Sequence, residues 1–341
     1  MRVCIRVFGI VQGVGFRPTV KRHADACDIA GSVSNKGPYV EIFAEGSEEC
    51  VYSFIKQIQE EPPKRAVILK LDVENVESGE DGIHKVESET DSKEKFQIIE
   101  SEKEEGEIFV SPDIAICPEC KKELYDKNDR RYLHPFINCT CCGPRLTILD
   151  SMPYDRVRTS MGKFPMCEKC EYEYTHAETR RFDAQPVCCN DCGPEVYLLG
   201  RKERGADAIR YTRKVISEGG IVAVKGIGGF HLCCDAAKEE TVARLRQRKK
   251  RPMKPFAVMM KDLDVVRREC ETEPHLEEIL DGHQKPIILL PKKEGGTLCE
   301  SVAPDNPKIG VMLPYAPVQL LLFDYHCLLY TSPSPRDKRQ S

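Results

Sequence analysis

One cysteine pattern occurs twice in the middle of this 341-residue chain. In each copy two C-x2-C pairs are separated by 18 residues, and the second copy starts at Cys167, 50 residues after Cys117. The residues between the pairs also recur, since Asp129-Arg-Arg-Tyr132 corresponds to Thr179-Arg-Arg-Phe182. Two copies in one register indicate the duplication of a single structural unit.

The spacing of each copy is that of a zinc ribbon, in which two tight C-x2-C turns bring four thiolates to one ion. Four sulfurs complete a closed tetrahedron, so the predicted role of the metal is structural. We predict two Zn²⁺ ions, one for each repeat, although an exchange of halves between the repeats satisfies the same spacing. The alternative is a set of reduced, buried cysteines without metal. The predicted ligands are Cys117, Cys120, Cys139, Cys142, Cys167, Cys170, Cys189 and Cys192.

The composition excludes a membrane protein, a collagen-like chain and a wholly disordered chain. Hydrophobic residues make up 40% and charged residues 31%, and no segment approaches the ~20 apolar residues that cross a bilayer. The first residues, Met1–Val7, alternate polar and apolar side chains and lack the apolar run of a secretory signal. We therefore expect a cytoplasmic protein, in which 18 clustered cysteines indicate metal rather than disulfides.

Three modules, an α+β multidomain arrangement, are predicted along the chain. Residues 1–101 alternate strand-like and helix-like patterns in the β-α-β-β-α-β order of a ferredoxin-like sandwich. An acidic linker at 102–112 leads to the duplicated C4 unit at 113–195. An α/β module follows at 201–324, and the tail 325–341 has no apolar periodicity, which predicts disorder or a non-native end.

A glycine-rich turn between the first predicted strand and helix is a candidate anion site. Glycines there leave backbone N–H groups free to surround a phosphate, and the start of a helix adds positive potential. Arg17 follows directly and its planar guanidinium suits a phosphate. As an alternative, the glycines can simply allow the chain to turn, without binding an anion. Asn35 can likewise be a turn residue without a catalytic role. The predicted phosphate loop is Gln12, Gly13, Val14, Gly15 and Phe16.

The string Gly9–Arg17, together with the segments Gly31–Gly37 and Val40–Phe43, resembles acylphosphatase. The resemblance implies that Arg17 binds the phosphoryl group and that Asn35 orients the attacking water.

The third module combines a glycine string with a basic run. The glycines of Val224–His231 lack the spacing of a Walker motif, which argues against a kinase-type P-loop. The basic run from Arg248 continues into Pro-x-Lys-Pro and a predicted strand, and from 201 to 261 basic residues number 16 against 6 acidic. The pattern resembles the YrdC family, which binds ATP and forms acyl-adenylates. The matching residues are Lys225, Lys249, Arg251 and Lys254, while His231, Cys233 and Cys234 are interpreted as packing residues.

The order acylphosphatase, paired C4 units and YrdC module resembles the HypF family of carbamoyltransferases in [NiFe]-hydrogenase maturation. The resemblance implies that carbamoyl phosphate is hydrolysed in the first module and that ATP adenylates the carbamate in the third. A further domain of the family passes the carbamoyl group to the C-terminal cysteine of HypE, and we expect this chain to be a truncated product that lacks it. Whether Mg²⁺ accompanies ATP stays open. Lys285 and Gln319 depart from the family pattern, which expects Arg and His there.

Two other functions remain compatible with the residues. Zinc ribbons and the basic segment 201–261 are also found in nucleic-acid-binding proteins, although the repeats lack an aromatic-basic stacking pattern and the chain has no Trp. The third hypothesis is a zinc-dependent scaffold protein without catalytic activity. We expect no membrane association.

Overall fold

The computed structural model describes residues 1–76, 95–99, 111–323 and 329–333, the last range by its backbone. These residues belong to two compact units. One unit spans 1–112 and 139–187, and the other spans 113–138 and 188–341. No helix in the described ranges is long and apolar enough to cross a bilayer.

Within the described part of residues 1–99, the first unit forms a five-stranded sheet and two helices. In chain order they are β1 (Arg2–Ile10), α1 (Phe16–Ala26), β2 (Ala30–Lys36), β3 (Tyr39–Glu45), α2 (Glu48–Glu60), β4 (Val67–Asn75) and β5 (Phe96–Ile98). The strand order is β4-β1-β3-β2-β5, and only the β2–β5 pair is parallel. The predicted β-α-β-β-α-β sandwich is confirmed, with β5 as a short additional strand. Residues 100–110, with most of the predicted linker, lie outside the described residues.

Alternating apolar positions on these strands form the core of the sandwich. Ile5, Val33 and Ile42 are fully buried against Phe54 of α2. α2 begins after Ser47, whose hydroxyl accepts a hydrogen bond from the backbone N–H of Cys50 at 3.2 Å, as an N-cap residue does. Burial of this continuous apolar face fixes the loop between β1 and α1 at one end of the sheet.

The two cysteine repeats form matching backbone structures. The helices α3 (Pro118–Tyr125) and α4 (Glu168–Thr175) each start directly after the first cysteine of a repeat. Leu133 and Asp183, which occupy the same position of the two repeats, both adopt the left-handed conformation, with φ of 54° and 55°. The duplication predicted from the sequence is therefore present in the fold.

The second unit contains a six-stranded sheet of order β6-β7-β11-β8-β10-β9. Its strands are β6 (Val222–Lys225), β7 (Phe230–Asp235), β8 (Ala257–Met259), β9 (Ile288–Pro291), β10 (Lys308–Met312) and β11 (Leu329–Pro333). Besides α3, the described α-helices of this unit are α5 (Gly205–Ser217), α6 (Glu239–Lys249), α7 (Leu263–Glu269), α8 (Pro274–Asp281) and α9 (Pro317–Leu322). The β8–β10 pair is parallel and the others are antiparallel. The predicted α/β character of this module is confirmed.

The expectation of a disordered or non-native tail from residue 325 is wrong for β11. Leu329–Pro333 pairs antiparallel with both β7 and β8 and so lies inside the sheet. Leu329, Tyr330 and Thr331 are residue types that favour strands, but the following Ser-Pro-Ser-Pro masked this signal in the sequence. Pro333 is compatible with the strand because it pairs with β7 alone, at its end. Residues 324–328 and 334–341 lie outside the described residues.

Candidate active site and metal centres

The glycine-rich loop lies between β1 and α1, as predicted. Gly13 and Gly15 have φ of 71° and 79°, in the left-handed region that favours glycine. A Cβ on Gly15 would lie 2.8 Å from the Thr140 methyl carbon, so the close approach of Thr140 also requires glycine. Gly15 directly precedes the first turn of α1. The unpaired N–H groups in the first turn of a helix can donate hydrogen bonds to an anion.

Three side chains of the loop make contacts within the sandwich. Gln12 is buried and its amide donates to the carbonyl of Gly37 at 3.0 Å. Val14 and Phe16 belong to the hydrophobic core of the sandwich. The predicted phosphate loop therefore offers backbone N–H groups to a ligand, with the Gln12 side chain engaged elsewhere.

Arg17 is 7% exposed and forms two ion pairs. Its guanidinium lies 3.1 Å from a carboxylate oxygen of Asp155 and 3.1 Å from one of Asp183. Burial alone would lower the pKa of Arg17, but the two carboxylates outweigh it and raise that pKa. Arg17 is thus a permanent buried cation.

Asn35 is fully buried on β2, and neither its amide nitrogen nor its amide oxygen has a hydrogen-bond partner within the described ranges. A buried polar group without a partner costs about 1–3 kcal/mol. Asn35 and Arg17 line the same pocket, which holds about 310 Å³ of empty space including its opening. The pocket therefore offers a donor, an acceptor and a cation to a small polar ligand.

Several pocket residues were not predicted from the sequence. They come from the 139–187 segment and include Thr140, Arg145, Tyr154, Asp183 and Gln185. Asp183 and Gln185 belong to the string Arg180–Cys188, and Arg145 belongs to the string Phe136–Ile148. Both strings resemble the HypF family and were usable signals. No comparable signal marked Asp155, whose partner Arg17 lies 138 residues away in the chain.

The eight predicted metal ligands form two C4 groups. In the group of Cys117, Cys120, Cys139 and Cys142, the four Sγ atoms lie within 4.8 Å of one another. The same holds for Cys167, Cys170, Cys189 and Cys192, so each repeat gathers its own four sulfurs.

The two groups fit zinc. Four sulfurs at about 2.3 Å from one ion are about 3.8 Å apart. The Sγ atoms of Cys139 and Cys142 are 3.7 Å apart, and those of Cys189 and Cys192 are 3.8 Å apart. Cys141 and Cys188, which break the repeat in sequence, belong to neither group.

The structure places the four predicted nucleotide-binding residues around one end of the second sheet. Lys225 ends β6, and Arg251 and Lys254 lie in the loop between α6 and β8. The strand register puts the end of β6 and the start of β8 at the same end of the sheet, with β7 and β11 between them. Lys249 ends α6, just before that loop. At about 4.8 Å per strand, β6 and β8 are about 14 Å apart, which a nucleotide can span.

Arg246, which the sequence did not single out, fixes this basic loop. It is buried on α6, and its guanidinium donates to the carbonyls of Arg251 at 2.9 Å and Lys254 at 3.2 Å. It also stacks on the Phe256 ring at 4.2 Å. Arg251 in turn donates to the Pro255 carbonyl at 2.8 Å. The conformation of the loop between α6 and β8 is therefore fixed by hydrogen bonds from the buried Arg246 to the backbone carbonyls of the loop.

A small second cavity lies near the glycine string. His231 and Cys233 line it together with Gln319 of α9, and the His231 Nε2 lies 3.1 Å from the Tyr315 hydroxyl. Cys233 and Cys234 are buried, as their interpretation as packing residues requires. The Gln319 side-chain oxygen accepts hydrogen bonds from the backbone N–H groups of Tyr315 and Ala316, which gives this unexpected residue a structural role.

Three protein families match successive parts of the chain. Residues 3–88 match the Acylphosphatase family, residues 116–149 and 166–199 match the HypF finger, and residues 214–341 match the Telomere recombination family of Sua5, YciO and YrdC. The acylphosphatase of Caldivirga maquilingensis is 45% identical over 83 residues, which cover 24% of this chain and 86% of that protein. The fold and the sites thus define an enzyme class that joins an acylphosphatase domain, paired zinc fingers and a YrdC-type domain.

This combination is that of HypF. The chain is 46% identical over 330 residues to the probable carbamoyltransferase HypF of Methanocaldococcus jannaschii, covering 95% of this chain and 42% of that protein. The crystal structure of full-length HypF in the phosphate- and nucleotide-bound form matches with a TM-score of 0.88 and 44% identity, over 97% of this chain and 42% of that one. T. kodakarensis HypF matches with a TM-score of 0.84 and 41% identity, with the same coverage of both chains.

The chain belongs to the HypF carbamoyltransferase family. It spans about two fifths of the length of the relatives that it matches.

Proposed function

We propose that this chain hydrolyses carbamoyl phosphate in the pocket of Arg17 and Asn35. The carbamate is then adenylated with ATP at the basic end of the second sheet, and the carbamoyl group is destined for the C-terminal cysteine of HypE. Support comes from the carbamoyltransferase names of the relatives and from the phosphate and nucleotide in the full-length HypF structure. The observation that carries the hydrolytic step is the buried amide of Asn35, which has no protein partner in the described part of the chain and faces the pocket of Arg17.

In the hydrolytic step a water oxygen attacks the phosphorus atom. The new P–O bond forms as the bond from phosphorus to the carbamoyl oxygen breaks, and carbamate leaves with the electron pair. The loop N–H groups, the start of α1 and Arg17 stabilise the negative charge on the phosphoryl oxygens. The Asn35 side chain holds the water through the two amide atoms that lack other partners. The proton released by the water goes to the phosphate product.

In the second step a carbamate oxygen attacks the α-phosphorus of ATP and pyrophosphate leaves. Lys225, Lys249, Arg251 and Lys254 neutralise the phosphate charge in this proposal, with Mg²⁺ as a companion of the nucleotide. The product is carbamoyl-adenylate, a mixed anhydride that reacts with water unless its site excludes solvent. The two Zn²⁺ ions are structural, because four thiolates leave no open position on either ion.

The hydrolytic step is tested by phosphate release from carbamoyl phosphate. Loss of one charge-stabilising donor lowers kcat by about 10²–10³-fold, and we expect this loss for Arg17→Ala and a comparable one for Asn35→Ala. Arg22→Ala is the control for Arg17, because Arg22 is exposed on the same helix. Asn75→Ala, on the exposed end of β4, is the control for Asn35. Wild-type rates in the Arg17 or Asn35 variants would contradict the assigned roles.

The ATP step is tested by the formation of AMP and pyrophosphate. We expect both products only when ATP and carbamoyl phosphate are present together, and we expect Lys225→Ala and Arg251→Ala to reduce them without changing phosphate release from carbamoyl phosphate. Lys214→Ala, an exposed position of α5, is the matched control. AMP formation that is independent of carbamoyl phosphate would contradict the coupling of the two steps.

A further inference from the structure

The guanidinium of Arg17 is held by two carboxylates that lie outside the segment matching acylphosphatase. That match ends at residue 88, whereas Asp155 and Asp183 follow in the 139–187 segment. The Arg17 Nη1 donates to Asp155 Oδ1 at 3.1 Å, and Nη2 lies 3.1 Å from Asp183 Oδ2. The side chains of the two aspartates are 19% and 12% exposed, so solvent screens these contacts little.

Both carboxylates are themselves fixed by further contacts. The second oxygen of Asp155 accepts from Arg158 at 3.1 Å. Asp183 Oδ1 accepts from the Gln185 amide nitrogen at 2.8 Å. The Gln185 oxygen accepts from the Tyr174 hydroxyl at 2.9 Å, and Gln185 is 1% exposed. Two consecutive, partly buried hydrogen bonds, from Gln185 to Asp183 and from Tyr174 to Gln185, therefore fix the orientation of the Asp183 carboxylate.

This arrangement restrains the direction of Arg17 while it weakens the attraction of the pocket for anions. An arginine side chain loses rotamer entropy when it is fixed, and two charged acceptors fix its planar guanidinium before the ligand binds. The same two negative charges repel a bound phosphate. The two aspartates therefore orient Arg17 but do not strengthen the binding of phosphate. Such an arrangement speeds hydrolysis by placing the guanidinium correctly for the transition state, rather than by binding the substrate more tightly.

We infer that Asp155 and Asp183 are positioning residues for acyl phosphate hydrolysis, which hold the Arg17 guanidinium in its catalytic orientation. The inference rests on the proposed hydrolytic function of the pocket. It makes the segment between the two cysteine repeats, together with Asp183 of the second repeat, a working part of the acylphosphatase site. In this inference neither carboxylate touches the reacting atoms, and both act through Arg17.

The test compares the kcat for carbamoyl phosphate with the inhibition constant of inorganic phosphate in the complete chain. Asp183→Asn is suited to it, because Asn tolerates the left-handed conformation and keeps an oxygen for Gln185. We expect kcat to fall by about 10- to 100-fold in Asp183→Asn and in Asp155→Asn, as misplacement of a catalytic group does. Phosphate should bind as tightly as in the wild type, or more tightly, because a nearby negative charge is removed. Asp150→Asn, on an exposed residue of the same segment, should change neither quantity.

A purely structural role of the aspartates would lower kcat and phosphate affinity together, and that result would overturn the inference. Wild-type kcat in both variants would overturn it as well. If the wild-type chain releases no phosphate from carbamoyl phosphate, the proposed function fails. If the wild type hydrolyses it and the two Asn variants match that rate, only the positioning role fails.

Discussion

The guanidinium of Arg145 donates a hydrogen bond to the carbonyl oxygen of Gly13, in the phosphate loop. The same guanidinium donates to the carbonyls of Cys142 at 3.1 Å and Thr140 at 2.8 Å. Arg145 is 2% exposed, and all of these acceptors are backbone oxygens. The predicted phosphate loop is therefore bonded directly to the second C-x2-C turn of the first repeat.

Arg145→Ala should lower hydrolysis of carbamoyl phosphate by about 10²-fold, because a loop displaced by about 1 Å misplaces the ligand. The control is Glu195→Ala, since Glu195 occupies the corresponding position of the second repeat and is exposed rather than buried. The measurement is phosphate release at saturating substrate, with zinc content determined on the same samples. Equal rates in the two variants would show that the contact with Gly13 does not shape the loop.

Two zinc ions should be found per chain by metal analysis. Cys120→Ser removes one of four thiolates from the first C4 group and should leave about one ion, because a closed site has no spare ligand. Cys141→Ser is the matched control, since Cys141 is exposed and belongs to neither group. Less than one zinc in the freshly purified wild type would contradict the assignment.

Arg246→Leu should release the basic loop of the second unit. The change leaves the carbonyls of Arg251, Pro252 and Lys254 without their donor, at about 1–3 kcal/mol for each carbonyl that stays buried. We expect a lower Tm and a KM for ATP that rises by about tenfold, with unchanged hydrolysis of carbamoyl phosphate. Arg248→Ala, an exposed position of the same helix, should have little effect. An unchanged KM for ATP would argue against a nucleotide at this loop.

Cys233 should resist alkylation at pH 8. Burial raises its pKa to about 12, so the thiol stays protonated at this pH and gains thiolate only as the pH approaches 12. The reactive form of a cysteine is the thiolate, and at four pH units below the pKa only about one molecule in 10⁴ carries it. Cys141 is exposed and Cys27 and Cys50 are partly exposed, so these three should react before Cys233 with iodoacetamide, as followed by peptide mass spectrometry. Rapid labelling of Cys233 in the folded chain would contradict its burial.

The features that could be predicted from sequence are those carried by local patterns. The eight cysteines of the two C4 groups follow from a spacing that two tight turns enforce, and the pocket residues Arg17 and Asn35 follow from short strings around one strand and one helix start. Asp155 could not be found in this way, because its partner Arg17 is 138 residues distant. Arg145 lies beside the second C-x2-C pair, but its contact with Gly13, 132 residues away, could not be predicted from that position. β11 was missed because two prolines follow three strand-forming residues. In the fold, β11 pairs with a neighbouring strand on each side, and this pairing outweighs the local preference of the two prolines against a strand.

Leu133 and Asp183 occupy one left-handed turn of a duplicated unit, yet only Asp183 contacts Arg17. The left-handed conformation is uncommon for a bulky side chain and is easier for Asp, whose short polar group can bond locally. In the positioning role proposed for Asp183, one copy of this turn takes part in hydrolysis, whereas Leu133 gives the other copy no charged group to offer. Two copies of one backbone turn can therefore carry different duties, because a single side chain differs between them.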